Sequence, residues 1–327
     1  MREYTFPQAI TAALCEEMRR DPTTYIIGED VGAMGGIFGA TPGLLEEFGE
    51  NRVIDSPISE AAILGTSVGA ALMGMRPIPE VMFCDWLTVG FDQLVNQAPK
   101  LNYMSGGKIG GVPITIRTTC GGGIRAAAQH SQSNEAWYIN CPGLKVVYPA
   151  TPYDLYGLLK SSIRDDNPVL FLEHKLLYFL PIKNELPDEE FTIPLGKAEV
   201  KRAGEDVSII TYGLMVHKAL AAAETLSAEG VRAEVVDLRT LSPLDRDAIR
   251  DSVTKTGRAV VVHEAPKTGG FGGELVAVIV EEAFDYLNAP VIRVAAPDAH
   301  SPFSPPLEDA FMPNEADIVA AVQKVIE

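Results

Sequence analysis

The chain has 327 residues, 46% of them hydrophobic, and its 44 acidic and 27 basic side chains give a formal charge of −17. That length and apolar content fill about two domain cores. So acidic a chain is no nucleic-acid binder, because phosphate backbones select basic faces, and no apolar run reaches the roughly 18 to 20 residues of a membrane helix.

The opening "MREYTFPQAI" lacks a signal-peptide core and an Arg/Ser-rich transit pattern, so a cytoplasmic location is expected. Cys15, Cys84, Cys120 and Cys141 form no C-x-x-C pair, and their spacing suggests neither a disulfide framework nor a zinc site. Charge is uneven along the chain. Residues 1–185 hold 20 acidic and 14 basic side chains, while 186–327 hold 24 and 13. Any macromolecular partner of the second half should be basic where they touch.

In chain order, β-rich runs alternate with helical ones: "TYIIGED", a helix after Ser59, "RPIPEVMF", a helix from about Leu87 to Tyr103, "VPITIRTT", "LKVVYPA", a helix from Tyr153, and "PVLFLE". Residues 182–206, with two prolines and an acidic patch, lack sustained periodicity and read as a connection, which puts a boundary near residue 190. Beyond it come "VSIITYG", a helix ending at Gly230, "AEVVDL", a helix from Asp245, "RAVVVHE", a helix over "GELVAVIVEEAF", and "VIRVAA". This rhythm predicts two three-layer α/β domains, 1–190 and 191–327, with parallel sheets covered on both faces.

Ligands of such folds bind beyond the carboxyl ends of the strands, and helix N-termini there favour phosphate. Three glycine clusters follow strands: "GAMGGIFG", "CGGGIRA" and "TGGFGGE". Only the second approaches a dinucleotide fingerprint, and the next strand lacks the acid that would hold a ribose. The Walker pattern is absent, and so is the G-D-G motif with downstream Asn that holds magnesium and diphosphate in thiamine enzymes. The chain shows no complete phosphate site of its own; tight turns account for the glycines equally well.

Two polar features stand out. In "DSPISEAA", Ser59 is placed to cap a helix whose first turn holds Glu60, where the helix dipole alone accounts for a carboxylate. The small-residue surroundings also admit a cofactor or second subunit. In "AAAQHSQSNEAW", His130 is either a satisfied structural side chain or a proton carrier; His263 and His300 are weaker candidates. Trp86 and Phe91 near the end of "RPIPEVMF" are core residues or a stacking surface for a heteroaromatic ring.

Taken together, "GEDVG", "DSPISEAAILGTSVGAALMGMRPIPEVMF", "FDQLVNQAPKLNYMSGG", "AAQHSQSNEAW", the stretch from "CPGLKVVYPA" to "EHKLLY" and "DLRTLSPLD" resemble the β subunit of thiamine-dependent 2-oxo acid dehydrogenases almost end to end. The resemblance implies a transketolase-like pyrimidine-binding domain followed by a transketolase C-terminal domain, in an α2β2 heterotetramer with active sites between α and β. Thiamine diphosphate would be shared, with Mg2+ and the diphosphate held by the α subunit and the aminopyrimidine end held here. Glu60 then corresponds to the carboxylate on the aminopyrimidine nitrogen, which helps generate the cofactor's nucleophilic carbon. His130 corresponds to a channel histidine assisting acyl transfer to a lipoyl group of the core acyltransferase. Met82 and Trp86 fall in the aminopyrimidine pocket, Trp86 standing where Phe or Tyr is expected. The same resemblance points to a K+ loop at Ile114, Ser162, Ile163, Asp165 and Asn167, although Asp and Asn before a strand are also ordinary turn chemistry. It further implies that the acidic second domain docks a basic subunit-binding domain of the acyltransferase. Pyruvate, acetoin and branched-chain 2-oxo acids remain open as substrates. Competing readings are half of a split transketolase, which would need a basic phosphate site, and a catalytically silent scaffold.

Overall fold

In a computed structural model that describes residues 2–327, the chain forms two compact units. One comprises the chain to Cys120 with Trp137–Leu195; the other comprises Gly121–Ala136 with Gly196–Glu327. To Leu195 the elements run β1 (Arg2–Thr5), α1 (Phe6–Arg20), β2 (Thr24–Gly28), α2 (Leu44–Phe48), β3 (Val53–Asp55), α3 (Glu60–Leu72), β4 (Arg76–Phe83), α4 (Leu101–Met104), β5 (Thr115–Cys120), α5 (Glu135–Ile139), β6 (Lys145–Val147), α6 (Pro152–Arg164), β7 (Val169–His174) and β8 (Lys183–Leu186). In the first unit six strands line up as β6-β7-β5-β4-β2-β3, each pair parallel. Every residue of β5 and β7 is buried, as expected of a parallel sheet covered on both faces. α1 starts at a Thr5–Gln8 capping box with Pro7 in its first turn, and buries Ile10, Ala13, Leu14 and Met18 on one stripe.

The sheet's centre is not wholly apolar. Arg117 on β5 is buried between Glu173 on β7, which it grips at 2.8 and 2.9 Å, and Glu80 on β4 at 2.6 Å. The fork geometry of guanidinium and carboxylate satisfies these charges inside the unit. Two carboxylates beside it hold Arg117 firmly in its charged form, against the pull of burial.

The expected helix over Leu87–Tyr103 is broken into a 3-10 turn (Cys84–Thr88), a π-helical turn (Gln93–Gln97) and α4. Gly90 is the cause on one side: a Cβ there would come within 3.1 Å of the Glu60 carbonyl and 2.5 Å of Leu64, so the chain passes flush against α3. The wide turn closes with Ala98 N–H donating to the Gln93 carbonyl at 3.0 Å, just before Pro99, which has no N–H to continue a helix. Residues 182–206 also hold more order than expected, since β8 pairs antiparallel with β1 and a further strand follows.

The second unit runs β9 (Glu199–Arg202), β10 (Val207–Thr211), α7 (Met215–Ala228), β11 (Ala233–Asp237), β12 (Thr240–Ser242), α8 (Arg246–Thr256), β13 (Ala259–Pro266), α9 (Gly272–Ala283), β14 (Ile292–Ala296), α10 (Pro305–Phe311) and α11 (Glu315–Ile326). Its five-stranded sheet has the order β14-β13-β10-β11-β9, parallel except for β9. Asp245 caps α8, accepting from the Ala248 N–H at 3.3 Å, and left-handed Gly257 ends it. No helix among the described residues is long and apolar enough to cross a membrane.

Candidate active site

Because β2 to β7 are parallel, the loops after β2 and β3 and the turn after β4 all leave the same edge of the first unit's sheet. Glu60 is the first residue of α3, after β3; Met82 lies near the end of β4; Trp86 lies in the 3-10 turn that follows. The structure therefore gathers Glu60, Met82 and Trp86 on one edge, where ligands of parallel sheets bind. Ser59 occupies the cap position of α3, but its side chain makes no capping hydrogen bond, a departure from expectation. Its carbonyl accepts from the third and fourth helical N–H groups, Ala62 at 3.0 Å and Ile63 at 2.9 Å, as an N-cap carbonyl ordinarily does.

Glu60 is only 8% exposed, no group among the described residues donates a hydrogen bond to its carboxylate, and its oxygens still reach solvent. A second carboxylate shares its surroundings. Glu29, at the end of β2, has its proton affinity raised first by burial, then by the charge of Glu60 and that of Asp30. The loop between β2 and α2 is tied back to the "DSPISEAA" stretch, since Asp55 accepts from the Gly32 and Ala33 amides at 2.7 and 3.2 Å. Met82 and Trp86 are both half-buried, and Thr119 donates its hydroxyl to the Met82 carbonyl.

The five residues expected at a cation loop lie at the opposite edge, where β5 and β7 begin. They do come together. Oxygens of four of the five, all but Asn167, are already engaged. Arg76 donates to the Ile163 and Asp165 carbonyls at 3.1 and 3.0 Å, and Lys145 pairs with the Asp165 carboxylate. The Ser162 carbonyl accepts from Thr115 at 2.9 Å and from the Asp165 N–H at 3.2 Å, the Ile114 carbonyl accepts from Val169 at 2.9 Å, and Asn167 turns back on Asp165. No cluster of three or more His, Cys, Asp or Glu among the described residues could hold a metal.

His130 belongs to the 121–136 segment, which packs with the second unit, and is half-buried. The glycine run that opens this segment cradles no phosphate, because its amides are filled from within. Glu264 accepts from Gly122 at 2.7 Å, and Glu308 accepts from Gly123 at 3.0 Å and Arg125 at 3.1 Å. Glu135 in the same segment is fully buried, accepts from the Tyr212 hydroxyl at 2.6 Å, and is pushed toward its neutral form by burial and by Glu264. The glycines of "TGGFGGE" have another purpose. A Cβ on Gly270 or Gly272 would lie 2.6 or 2.4 Å from the ring of His263, which is wholly buried with neither nitrogen hydrogen-bonded, so burial and the charge of Arg293 keep it neutral. His263 is thus a packed core side chain, and His300 is exposed.

Sequence reasoning missed Glu29, Glu264 and Glu308. Glu29 was open to view, as an acid ending a β-rich run beside a glycine loop. Glu264 and Glu308 lie 142 and 185 residues from the amides they hold, and no local pattern reports such a pairing.

Comparison with known proteins identifies the family and its two domains. Residues 2–181 match the transketolase pyrimidine binding domain and residues 196–318 the transketolase C-terminal domain. The chain is 49% identical over 327 residues to the pyruvate dehydrogenase E1 component subunit beta of Bacillus subtilis, and 47% identical over 328 residues to that organism's 2-oxoisovalerate dehydrogenase subunit beta, with all of each chain covered. It is 48% identical to the acetoin:2,6-dichlorophenolindophenol oxidoreductase subunit beta of Cupriavidus necator, covering 100% of this chain and 98% of that protein. A solved structure described as a split gene transketolase, inactive beta4 tetramer, superposes with a TM-score of 0.79 at 25% identity over 97% of this chain and 96% of its own. The chain thus belongs to the β-subunit family of the thiamine-diphosphate-dependent 2-oxo acid and acetoin dehydrogenases, built from a transketolase pyrimidine-binding and a transketolase C-terminal domain.

Proposed function

We propose that Glu60 is the carboxylate that hydrogen-bonds the aminopyrimidine of thiamine diphosphate in a site completed by an α subunit, with the domain boundary near residue 190. The observation that carries this is a nearly buried carboxylate with no donor of its own, at the ligand edge of a parallel sheet. A carboxylate so little exposed, with no donor in its own chain, gains from a partner supplied in the working assembly. An aminopyrimidine ring nitrogen fits that need. Glu29 adds a second carboxylate to the same surroundings, and its own proton affinity is raised by burial and by the charge of Glu60. Met82 and Trp86 on the same edge would line the ring's faces. When bound, the cofactor supplies the carbon nucleophile; this chain's part is to hold the ring, place a proton on its nitrogen and keep water away.

The diphosphate and Mg2+ are assigned to the α partner, since the one glycine loop here resembling a phosphate cradle is filled by Glu264 and Glu308. His130 is assigned to transfer of the acyl group onto the lipoyl sulfur. Docking of a basic domain of the acyltransferase on the second unit is supported by Glu281, Glu282 and Asp285 beside the exposed Val280, Phe284 and Tyr286. A monovalent cation at the loop around Asp165 fits poorly, because Arg76 and Lys145 already bring positive charge to it.

The three named substrates divide relatives of nearly equal identity, so the test is a parallel one. The chain is co-expressed with its α partner, and thiamine-dependent turnover of pyruvate, 2-oxoisovalerate and acetoin is measured. Turnover of one of them that vanishes in Glu60→Gln, with the assembly still formed, is the expected result; wild-type turnover in that variant would sink the assignment. A second reading rests on the likeness to a split transketolase in an inactive tetramer, under which the chain alone would self-associate without activity. Sedimentation of the chain with and without α separates the two.

A further inference from the structure

We propose that Glu308 and Arg125 are positioning residues for His130: a buried carboxylate from the far end of the chain clamps the backbone of the loop that carries the histidine. The inference rests on the acyl-transfer reading of His130. Residues 121–134 contain no helix or strand, and the backbone is left-handed at two residues that are not glycine, Arg125 (φ 62°) and Ala127 (φ 59°). Such a conformation costs about 1–2 kcal/mol per residue, so something outside the loop must hold it.

Both sides of His130 are held by carboxylates of the second unit. Upstream, Glu308 on α10 is completely buried and accepts three hydrogen bonds: from Gly123 N–H at 3.0 Å, Arg125 N–H at 3.1 Å and the Arg125 guanidinium at 2.8 Å. Arg125 is itself pinned, with further bonds to the Pro305 carbonyl at 3.0 Å and to Asp309 at 2.6 Å. Downstream, the Glu264 carboxylate that accepts from Gly122 also accepts the Ser133 hydroxyl at 3.1 Å. His130 therefore sits on a short arch between Arg125 and Ser133 whose two feet are charge-assisted hydrogen bonds, the stronger kind. The arch cannot shift without leaving a buried carboxylate unpaired, and that penalty fixes the backbone from which the imidazole projects. Glu308 touches no reacting atom in this scheme; it acts only through the loop.

The test uses the assembled enzyme with its α partner and reads two rates: acylation of a lipoylated acceptor, and decarboxylation with an artificial electron acceptor. Glu308→Gln keeps the side-chain volume but turns one acceptor oxygen into a donor facing amides. Arg125→Met changes a partly exposed side chain and keeps the test open should Glu308→Gln fail to assemble. Each should lower the ratio of acylation to decarboxylation by about tenfold, within the range that misplacing a reacting group costs. Combining either with His130→Ala should lower that ratio no further than His130→Ala alone, because groups acting as a unit are not additive. Tryptic cleavage after Arg125 in Glu308→Gln should also accelerate at least tenfold over wild type. An unchanged ratio in both variants, or full additivity with His130→Ala, overturns the positioning role while leaving the acyl-transfer reading intact. An unchanged ratio in His130→Ala itself overturns both.

Discussion

Glu60 and Glu308 are both buried carboxylates in the opening turns of helices, and their surroundings could hardly differ more. Glu308 is saturated, with two amides and a guanidinium converging on it. Glu60 has another carboxylate for a neighbour and no donor among the described residues. The first arrangement is what folding makes of a buried charge when the chain supplies every partner. The second fits the role proposed for Glu60, in which its partner comes from outside the chain. His263 is a third kind of case: an unpartnered group inside a glycine cradle, kept neutral, with no room left for a ligand.

The largest expected effect falls on Glu60. Glu60→Gln should cut thiamine-dependent turnover of the α-complexed enzyme by about a thousandfold, at the scale of lost proton transfer, with no measurable change in melting temperature. A stability loss as large as that of a Glu308 variant would show that Glu60 has a structural partner after all, and the contrast would fail.

His263 offers a pH test of the unpartnered class. Its folded pKa is lowered from 6.5 to about 4, so its contribution is fully present above pH 6.5 and is lost as pH falls through the folded value. That gap of about 2.5 units corresponds to about 3.5 kcal/mol at about 1.4 kcal/mol per unit. Denaturant titrations between pH 7 and 4 should show the loss, and His263→Phe should flatten the acid limb; an unchanged limb would mean that the ring is already protonated or paired.

Truncating the saturated carboxylate comes next. Glu308→Ala should destabilise the second unit by about 2 kcal/mol, since amides buried with the carboxylate lose their acceptor while Arg125 can turn to water. A neutral result would place Glu308 in the same class as Glu60. The smallest effect concerns the loop around Asp165. Exchanging K+ for choline should leave the melting temperature unchanged within about 1 °C, given that Arg76 and Lys145 already meet its oxygens. A clear K+-specific rise would show that the cation displaces one of them.

Much of this molecule was written in local pattern. The alternation of β-branched runs with helical ones placed the central strands of both sheets and the helices between most of them, though not the terminal α1 and α11 or the short edge strands, and the pairing of Ser59 with Glu60 placed a helix start within one residue. The break in the Leu87–Tyr103 helix was not, because its cause is how closely Gly90 passes the carbonyl of Glu60, 30 residues earlier. Nor was the absence of a Ser59 side-chain cap, which depends on the local backbone, φ −166° and ψ 77° at Ser59, and not on residue type alone.

The sequence by itself determined the fold class, the β-subunit family and the candidacy of Glu60 and His130, because those rest on periodicity and on short stretches of fixed residue order. Only the tertiary structure decided which candidates keep an open valence. Hydrogen bonds reaching across more than a hundred residues fill the glycine-rich loop with Glu264 and Glu308, and steric closure leaves His263 packed in glycine. Charge and hydrogen bonding are settled by what lies within about 3 Å in space, and distance along the chain carries little information about that.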